Sequence, residues 1–369
     1  MTNLIVCAYP GDELTIFGNI ILCERFVDWH SILINPDPPK GSSVSDIVKN
    51  WENSCKKLNI TPVKVMNISS IQVNEKGYPD PDNFPDFDFS KYEKIYVPDI
   101  QDLLPLRSFV TAAIAKRIVS VWMESSAGPG SRFCGLSNEN YNLLITNLNS
   151  FYGPQLRDRK ISAKDLHGTR QYGCFRGADI TRFYSQIICT DSKSVEDNNP
   201  WDISTSHYEQ DRYSLELEVL GGLEWNSMIE CGACTGNFTK KLFKLFPERK
   251  ITAVEPNSFF AKILKKELAA GINVFQGRIE DIKISCDLLF ASCVLYYCIP
   301  IPEPIFESPL KYLVTSHDKK YHDEVLCPAI KARGWKLKLE KELLPRIENF
   351  CSIPVIKDEA IIAVWEKKT

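Results

Sequence analysis

Met228-Ile229-Glu230-Cys231-Gly232-Ala233-Cys234-Thr235-Gly236-Asn237-Phe238-Thr239 is the stretch whose reading decides the fold. Trp225 to Ile229 is apolar enough for a buried strand. Gly232 and Gly236 let the backbone turn tightly and approach a ligand, and Phe238, Leu242, Leu245 and Phe246 then recur at helical spacing. Strand, glycine-containing loop and helix N-terminus follow one another, the arrangement of a cofactor loop.

Such a loop can serve a dinucleotide, a phosphate or S-adenosylmethionine (SAM). Glu230, at its opening, argues against phosphate, because a carboxylate there repels a pyrophosphate on the helix N-terminus but suits the cationic amino-acid end of SAM. A second apolar segment, Lys250 to Val254, ends in Glu255, about 20 residues on, where a ribose-binding acid belongs in such a unit. Two acids at two strand tips fit SAM. A purely structural turn is the alternative reading of the loop. Cys231 and Cys234 form a Cys-x-x-Cys pair, but a zinc knuckle needs a second pair at matching spacing. A redox pair is the other option; we read the two thiols as small loop-filling side chains.

The 369 residues exceed the size at which one core stops growing, so two domains are expected. A net charge of -3 provides no global field to attract nucleic acid or an anionic membrane. Thirteen cysteines, odd in number and without a framework, point to reduced thiols. The apolar run at Leu4 to Ala8 is too short for a signal-peptide core or a membrane span, so a soluble, cytoplasmic protein is expected. Oligomeric state is left open.

The first half alternates strand and helix signals: Leu4 to Ala8, Ser31 to Ile34, Val63 to Met66, Ile95 to Val97 and Ser120 to Met123 as strands. A helix with the stripe Val44, Ile47, Trp51, Cys55 and Leu58, and another over Leu106 to Arg117, lie between them. The Pro/Asp-rich segment Tyr78 to Phe89 reads as a surface loop. Ala8-Tyr9-Pro10-Gly11-Asp12-Glu13 resembles the Ala-His-Pro-Asp-Asp-Glu motif of the PIG-L/LmbE family of zinc-dependent deacetylases, a likeness covering residues 1 to 190. In that family the His and the second Asp bind zinc and the first Asp is the general base; here those positions hold Tyr9, Asp12 and Gly11. A later His-x-x-His supplies the third ligand. Its counterpart is Asp102-Leu103-Leu104-Pro105-Leu106-Arg107, with Leu104 and Arg107 in the histidine positions. A hydrolytic zinc site needs about three protein ligands and an open water position. Only Asp12 remains, so neither zinc nor deacetylation is expected of this domain.

Downstream, Arg157, Arg159, Lys160, Lys164, His167, Arg170, Arg176 and Arg182 interleave with Tyr152, Tyr172, Phe175 and Tyr184. This is either a solvated face with packing aromatics or a groove for a phosphate-bearing or nucleotide-linked substrate. Asn198-Asn199-Pro200 marks a domain boundary, and the second domain runs from 199 to 369. Tyr208-Glu209-Gln210-Asp211-Arg212-Tyr213 begins a helix placed to cap the cofactor or simply to pack. Beyond Glu255 come a helix, a strand at Ile272 to Phe275, a turn through Gly277 to Asp281, strand Leu288 to Val294 and strand Tyr312 to Thr315. Lys336 and Lys338, alternating with Trp335, Leu337 and Leu339, read as an edge strand. Ile361 to Trp365, apolar throughout, reads as a buried strand paired antiparallel beside it. The fold class expected is α/β, two mostly parallel sheets flanked by helices.

Glu230-x-Gly232-x-Cys234-x-Gly236 resembles the acidic glycine-rich motif of class I SAM-dependent methyltransferases, with Cys234 at the middle glycine and Glu255 matching the ribose-binding acid. Asn199-Pro200-Trp201, Tyr208-Glu209-x-x-Arg212-Tyr213 and Ser292-Cys293-Val294-Leu295-Tyr296-Tyr297 resemble the NodS-type amino-sugar N-methyltransferases. The resemblance implies a Rossmann-like fold and SAM held by Glu230, Gly232, Cys234, Gly236, Glu255, Ile279, Glu280 and Ser292. Arg278 stands where an adenine-binding Asp often lies. It also implies a small-molecule or glycan acceptor, with Tyr296, Tyr297, His317 and Tyr208 as candidate catalytic residues and His322 and Arg212 as further contacts. O-methylation of a sugar, nucleotide or metabolite, and a degenerate binding protein, are the rival readings.

Overall fold

In a computed structural model of the chain, the residues described are 2–36, 42–66, 80–101, 105–124, 132–157, 169–188, 196–268, 271–298 and 300–367. The chain divides into two compact units. One is Met1–Thr190 with Cys351–Ile353; the other is Asp191–Phe350 with Pro354–Thr369.

The first unit contains β1 (Thr2–Cys7), β2 (Asp28–Leu33), β3 (Ile60–Val65), β4 (Lys94–Val97), β5 (Ser120–Glu124), β6 (Arg132–Gly135) and β7 (Thr169–Arg176). They form one sheet in the order β3-β2-β1-β4-β5-β7-β6, parallel except for β7 and β6. Parallel strands must be covered on both faces. Accordingly β1 is buried along most of its length, and Ile47, Trp51 and Cys55 of the helix Val44–Lys57 are buried, as their spacing requires. The order reverses between β1 and β4, which places the β1 turn at a topological switch point.

Two expectations gain detail here. In the stretch from Tyr78 to Phe89, of which 78 and 79 lie outside the described residues, Phe84 and Phe89 are buried and pack on each other, and Phe84 also packs on Phe109. The segment lies at the surface, with Asp82, Asn83, Asp86 and Asp88 exposed, and the two buried rings anchor it to the core. The basic, aromatic stretch buries Arg170 and Tyr172 on β7, which pairs antiparallel with β5 and β6, Tyr152 on the helix Asn138–Arg157, and Tyr184 directly after the helix Gly177–Phe183. Arg159, Lys160, Lys164 and His167, and the side chain of Arg157, lie outside the described residues.

The second unit contains β8 (Ser227–Cys231), β9 (Lys250–Glu255), β10 (Ile272–Gln276), β11 (Leu288–Ser292), β12 (Tyr312–Asp318), β13 (Trp335–Leu343), β14 (Arg346–Phe350), β15 (Ile353–Lys357) and β16 (Ala360–Lys367). The main sheet runs β10-β9-β8-β11-β12-β16-β13, and β14 pairs with β15 separately. From β10 to β12 the strands are parallel; β16 inserts antiparallel between β12 and β13. The fully apolar Ile361–Trp365 segment is interior and the Lys-studded β13 is the edge, as the patterning indicated. One face of this sheet buries Ile229, Leu289, Leu313 and Trp365, the other Met228, Phe290, Val314 and Val364. Both units are thus mostly parallel α/β sheets. Among the described residues no helix is long and apolar enough to cross a membrane.

Candidate active site

The β8 strand lies mid-sheet, where the order switches between β8 and β11, and its C-terminal end opens into the glycine-containing loop. Gly232 has φ +69°, and a Cβ there would fall 2.2 Å from Val294 Cγ1; Gly236 has φ +79°, and a Cβ would fall 2.8 Å from Leu264 Cδ2. Only glycine fits either position. The loop is pinned to β9 by Gly232 N–H and Ala233 N–H donating to the Val254 carbonyl at 2.8 and 3.1 Å. Cys234, between them, also adopts a left-handed conformation, with φ +51°. The backbone there keeps the left-handed conformation that favours glycine, although a cysteine occupies the position.

Glu255 holds this loop. Its Oε2 accepts the Cys234 N–H and its Oε1 the Asn257 N–H, both at 2.8 Å, so one carboxylate joins the loop to the start of the helix Ser258–Glu267. Each oxygen keeps a lone pair free of these bonds. Burial pushes the Glu255 carboxyl up to about 7, although the two amides oppose the shift.

Glu230, 3% exposed, is raised to about 8, first by burial, which the Thr239 side chain opposes, with the neighbouring carboxyls of Glu216 and Glu255 adding to the rise. Its Oε2 is buried without a hydrogen-bond partner. A buried, unsatisfied carboxyl oxygen at the mouth of a loop is costly unless a ligand completes it. The cationic amino-acid end of SAM is such a partner, so the residues present fit this cofactor.

These raised acids set a pH dependence. A carboxyl whose folded pKa lies above its unfolded value contributes stability that is complete below the unfolded pKa, near 4.5, and lost as pH rises through the folded one. For Glu230 the window runs from about 4.5 to about 8. Each such group contributes a slope of at most about 1.4 kcal/mol per pH unit. Glu230→Gln is therefore expected to flatten the fall in urea-unfolding stability across that window, and an unchanged slope would rule out this assignment.

The helix His207–Gly221 lays a polar face against the strand tips. Arg212, buried, donates through Nη2 to Glu209, contacts Cys293 Sγ through Nη1 and lies 3.9 Å through Nε from Glu216. Lys357 Nζ reaches Glu209 at 3.1 Å. Burial works against ionisation of Glu209, but Arg212 and Lys357 prevail and hold its carboxyl below the usual range. Glu216, fully buried, is pushed up by burial against the attraction of Arg212. Ser292 Oγ donates to Glu216 Oε1 at 2.7 Å.

The remaining candidates divide. Tyr296 sits in the short turn Leu295–Tyr297, its ring centroid 5.8 Å from His317, 4.4 Å from Tyr297 and 6.0 Å from Tyr321. His317, at the end of β12, is fully buried. Tyr208 donates its hydroxyl to the Asp358 carbonyl, and burial foremost raises its pKa, so the phenol keeps its proton. Tyr296 and Tyr297 follow β11 in a helical turn, and the strand ends at Ser292, short of the expected Val294. Ile279 is a core side chain, leaving its backbone as its polar contribution, while Glu280 on the same turn is exposed. Glu209 entered the sequence reading only as part of a motif and Glu216 not at all, although 209, 212 and 216 lie on one helical face.

In the first unit, Asp12 follows β1 and accepts from Arg107 Nη2 at 2.6 Å and from Tyr9 N–H at 3.0 Å. Glu13 accepts from the Tyr152 hydroxyl at 2.5 Å and Gly11 N–H at 2.9 Å, and burial still raises its carboxyl to about 7. Leu104 lies outside the described residues. Among the described residues no group of three His, Cys, Asp or Glu side chains is placed to hold a metal ion.

Residues 187–302, which include the loop, Glu255 and the Leu295–Tyr297 turn, match the model of the nodulation protein S (NodS) family. Over those residues the second unit is similar in fold to SAM-dependent methyltransferases. Among solved structures, the chain is similar to N-methyltransferase NodS from Bradyrhizobium japonicum WM9 in complex with S-adenosyl-L-homocysteine, at 15% identity and TM-score 0.37 over 47% of this chain and 94% of that one. It is similar also to precorrin-6y C5,15-methyltransferase from Geobacter metallireducens GS-15, at 16% identity and TM-score 0.35 over 43% and 89%. A third is M. jannaschii TYW2 in complex with AdoMet, at 14% and 0.34 over 46% and 82%. At these identities the likeness is one of fold. No curated protein matches the chain.

Proposed function

We propose that the chain is a SAM-dependent N-methyltransferase acting on the amine of an amino sugar or related glycan. The observation that carries the cofactor reading is the pair of strand-tip acids: Glu230 with an unpartnered buried oxygen, and Glu255 bonded to the loop that Gly232 and Gly236 shape. Glu230 is assigned to the amino-acid end of the cofactor, Glu255 to the ribose, the loop backbone from Gly232 to Gly236 to close approach, and the turn carrying Ile279 and Glu280 to the adenine side. Ser292 acts through Glu216. SAM supplies an electrophilic methyl group on a positively charged sulfur. The acceptor nitrogen brings the lone pair that forms the new bond; the carbon–sulfur bond breaks, and the proton of the methylated amine leaves to water. Alignment and water exclusion carry most of such a displacement. Tyr296, Tyr297 and the Arg212 cluster form the wall on the acceptor side.

The first unit is assigned a supporting, non-catalytic role as a deacetylase-like domain over residues 1 to 190. The Arg107–Asp12 ion pair supports this, since a fixed guanidinium occupies the carboxylate that a metal would need. Twelve free cysteines among the described residues accord with a reducing, cytoplasmic setting.

Glu255→Ala is expected to weaken SAM binding by about 1–3 kcal/mol, through the lost ribose contact and the two amides left without an acceptor. Unchanged affinity by calorimetry would show that the site lies elsewhere. Acceptor identity is tested by mass spectrometry of amino sugars, free and nucleotide-linked, incubated with the chain and SAM. Gain of one methyl on an amine is expected. Gain only on hydroxyl acceptors lacking an amine would replace the reading with O-methylation.

A further inference from the structure

The second unit holds a cavity of about 200 Å³ that none of the assignments above uses. The helix Glu303–Glu307 and the residues before it contribute Ile301 and Phe306, and the chain from His322 to Ala332 contributes Val325 and Ala329. Val325 lies in a stretch of π-helix, His322–Leu326, a wider turn found often at functional sites. Tyr321 and Cys298 also line the cavity, and both tie it to the acceptor side. Cys298 directly follows the Leu295–Tyr297 turn. The Tyr321 ring lies 6.0 Å from Tyr296 and 5.3 Å from His317, whose two nitrogens are buried with no hydrogen-bond partner among the described residues.

The chemistry of the lining selects the ligand. The Tyr321 hydroxyl is itself buried, so the residue presents its ring. Among the lining residues only Arg333 is charged; it is 45% exposed, Glu303 pairs with its guanidinium, and the guanidinium lies over the Phe306 ring, 5.4 Å from the centroid. A nucleobase would bury several N–H and C=O groups here without partners, at a cost repeated for each. A hydrocarbon group meets no such cost. An apolar cavity of about 150 Å³ takes up benzene, so this one has room for a single six-membered ring with a small substituent. Phe306 and Tyr321 offer ring contacts, Arg333 a cation and Cys298 a polarisable sulfur that burial keeps protonated, and all of these favour a planar aromatic group over an alkyl chain.

We propose that this cavity is a subsite for an aryl group, one aromatic ring carried by the acceptor beside the position that is methylated. This rests on the methyl-transfer reading and adds to it a substituent which that reading leaves open. Calorimetric titration of the full-length chain in the presence of S-adenosylhomocysteine compares phenyl glucosaminide with methyl glucosaminide, which differ in that group alone. The phenyl compound is expected to bind about tenfold tighter. Ala329→Phe, which places a ring in the cavity, should bring the two affinities together and leave that of the methyl compound unchanged. Val325→Trp, at a position 41% exposed, fills the same cavity from the π-helix and should do likewise. No binding of the phenyl compound, equal affinities in the wild type, or a phenyl preference that survives in either folded variant overturns the proposal. Cyclohexyl glucosaminide binding as tightly as the phenyl compound overturns it in favour of an alkyl site, and uridine displacing the phenyl compound overturns it in favour of a nucleobase. A wild-type chain that prefers the phenyl compound yet transfers no methyl to it from SAM supports the subsite and sinks the transfer reading alone; methylation of both compounds without a phenyl preference does the reverse.

Discussion

Replacing Arg212 by Met is expected to destabilise the second unit by about 3–5 kcal/mol, the effect of removing one partner from a buried ion cluster. The guanidinium is the shared counter-charge of Glu209 and Glu216, both buried, and Met matches its stem but not its charge. Lys357 still reaches Glu209 in the variant; Glu216 keeps only the Ser292 hydroxyl among the bonds described above. The loss should grow with pH. In the wild-type chain Glu209 lies below its ordinary pKa, so its contribution is present above the unfolded value and lost on acidification. Without Arg212, burial dominates, its pKa rises, and the sign reverses. Urea unfolding followed by hydrogen exchange at second-unit amides, at pH 5 and pH 8, measures this. A variant equal in stability to wild type at pH 8 would mean that the cluster is solvated. The double change Arg212→Met with Glu209→Gln should recover part of the loss, since it removes charge from both sides.

The second large effect belongs to the first unit. Arg107→Met should also lose about 3–5 kcal/mol, because Asp12 is fully buried and its Oδ1 takes the guanidinium at 2.6 Å. The Tyr9 amide on Oδ2 remains but carries no full charge. Asp12→Asn combined with Arg107→Met should restore much of the stability, as replacing both members of a buried pair often costs little. Hydrogen exchange at first-unit amides reads the result. If Arg107→Met alone is neutral, the pair is not the fixed neutralisation described here, and the non-catalytic reading of this unit loses its support.

The parts of the fold that were legible in the sequence are those where period and backbone geometry leave little choice. The apolar β8 with its two glycines, the acid closing β9, and the apolar β16 beside a Lys-alternating β13 each stated their own environment. Other parts were hidden because the decisive partner is distant in sequence. Tyr152 and Tyr172 stand among basic residues in the sequence, and only the packing of the helix Asn138–Arg157 and the antiparallel pairing of β7 with β5 and β6 take them inside. Phe84 and Phe89 looked like loop residues because prolines and aspartates surround them. Glu209 and Glu216 resemble the solvated acids of any surface helix. Only distant partners turn them inward, Ser292 on β11 donating to Glu216 and Lys357 to Glu209. His317 ends an apolar run, and no local pattern announces that both its nitrogens are left unmet.

The most direct test of the account is calorimetric titration of the full-length chain with SAM, at neutral pH, alongside the Glu255→Ala variant. One molecule of SAM per chain should bind, with affinity about 5- to 150-fold weaker in the variant. A folded wild-type chain that takes up no SAM would contradict the assignment of the Met228 to Thr239 loop as a cofactor site, and with it the enzyme.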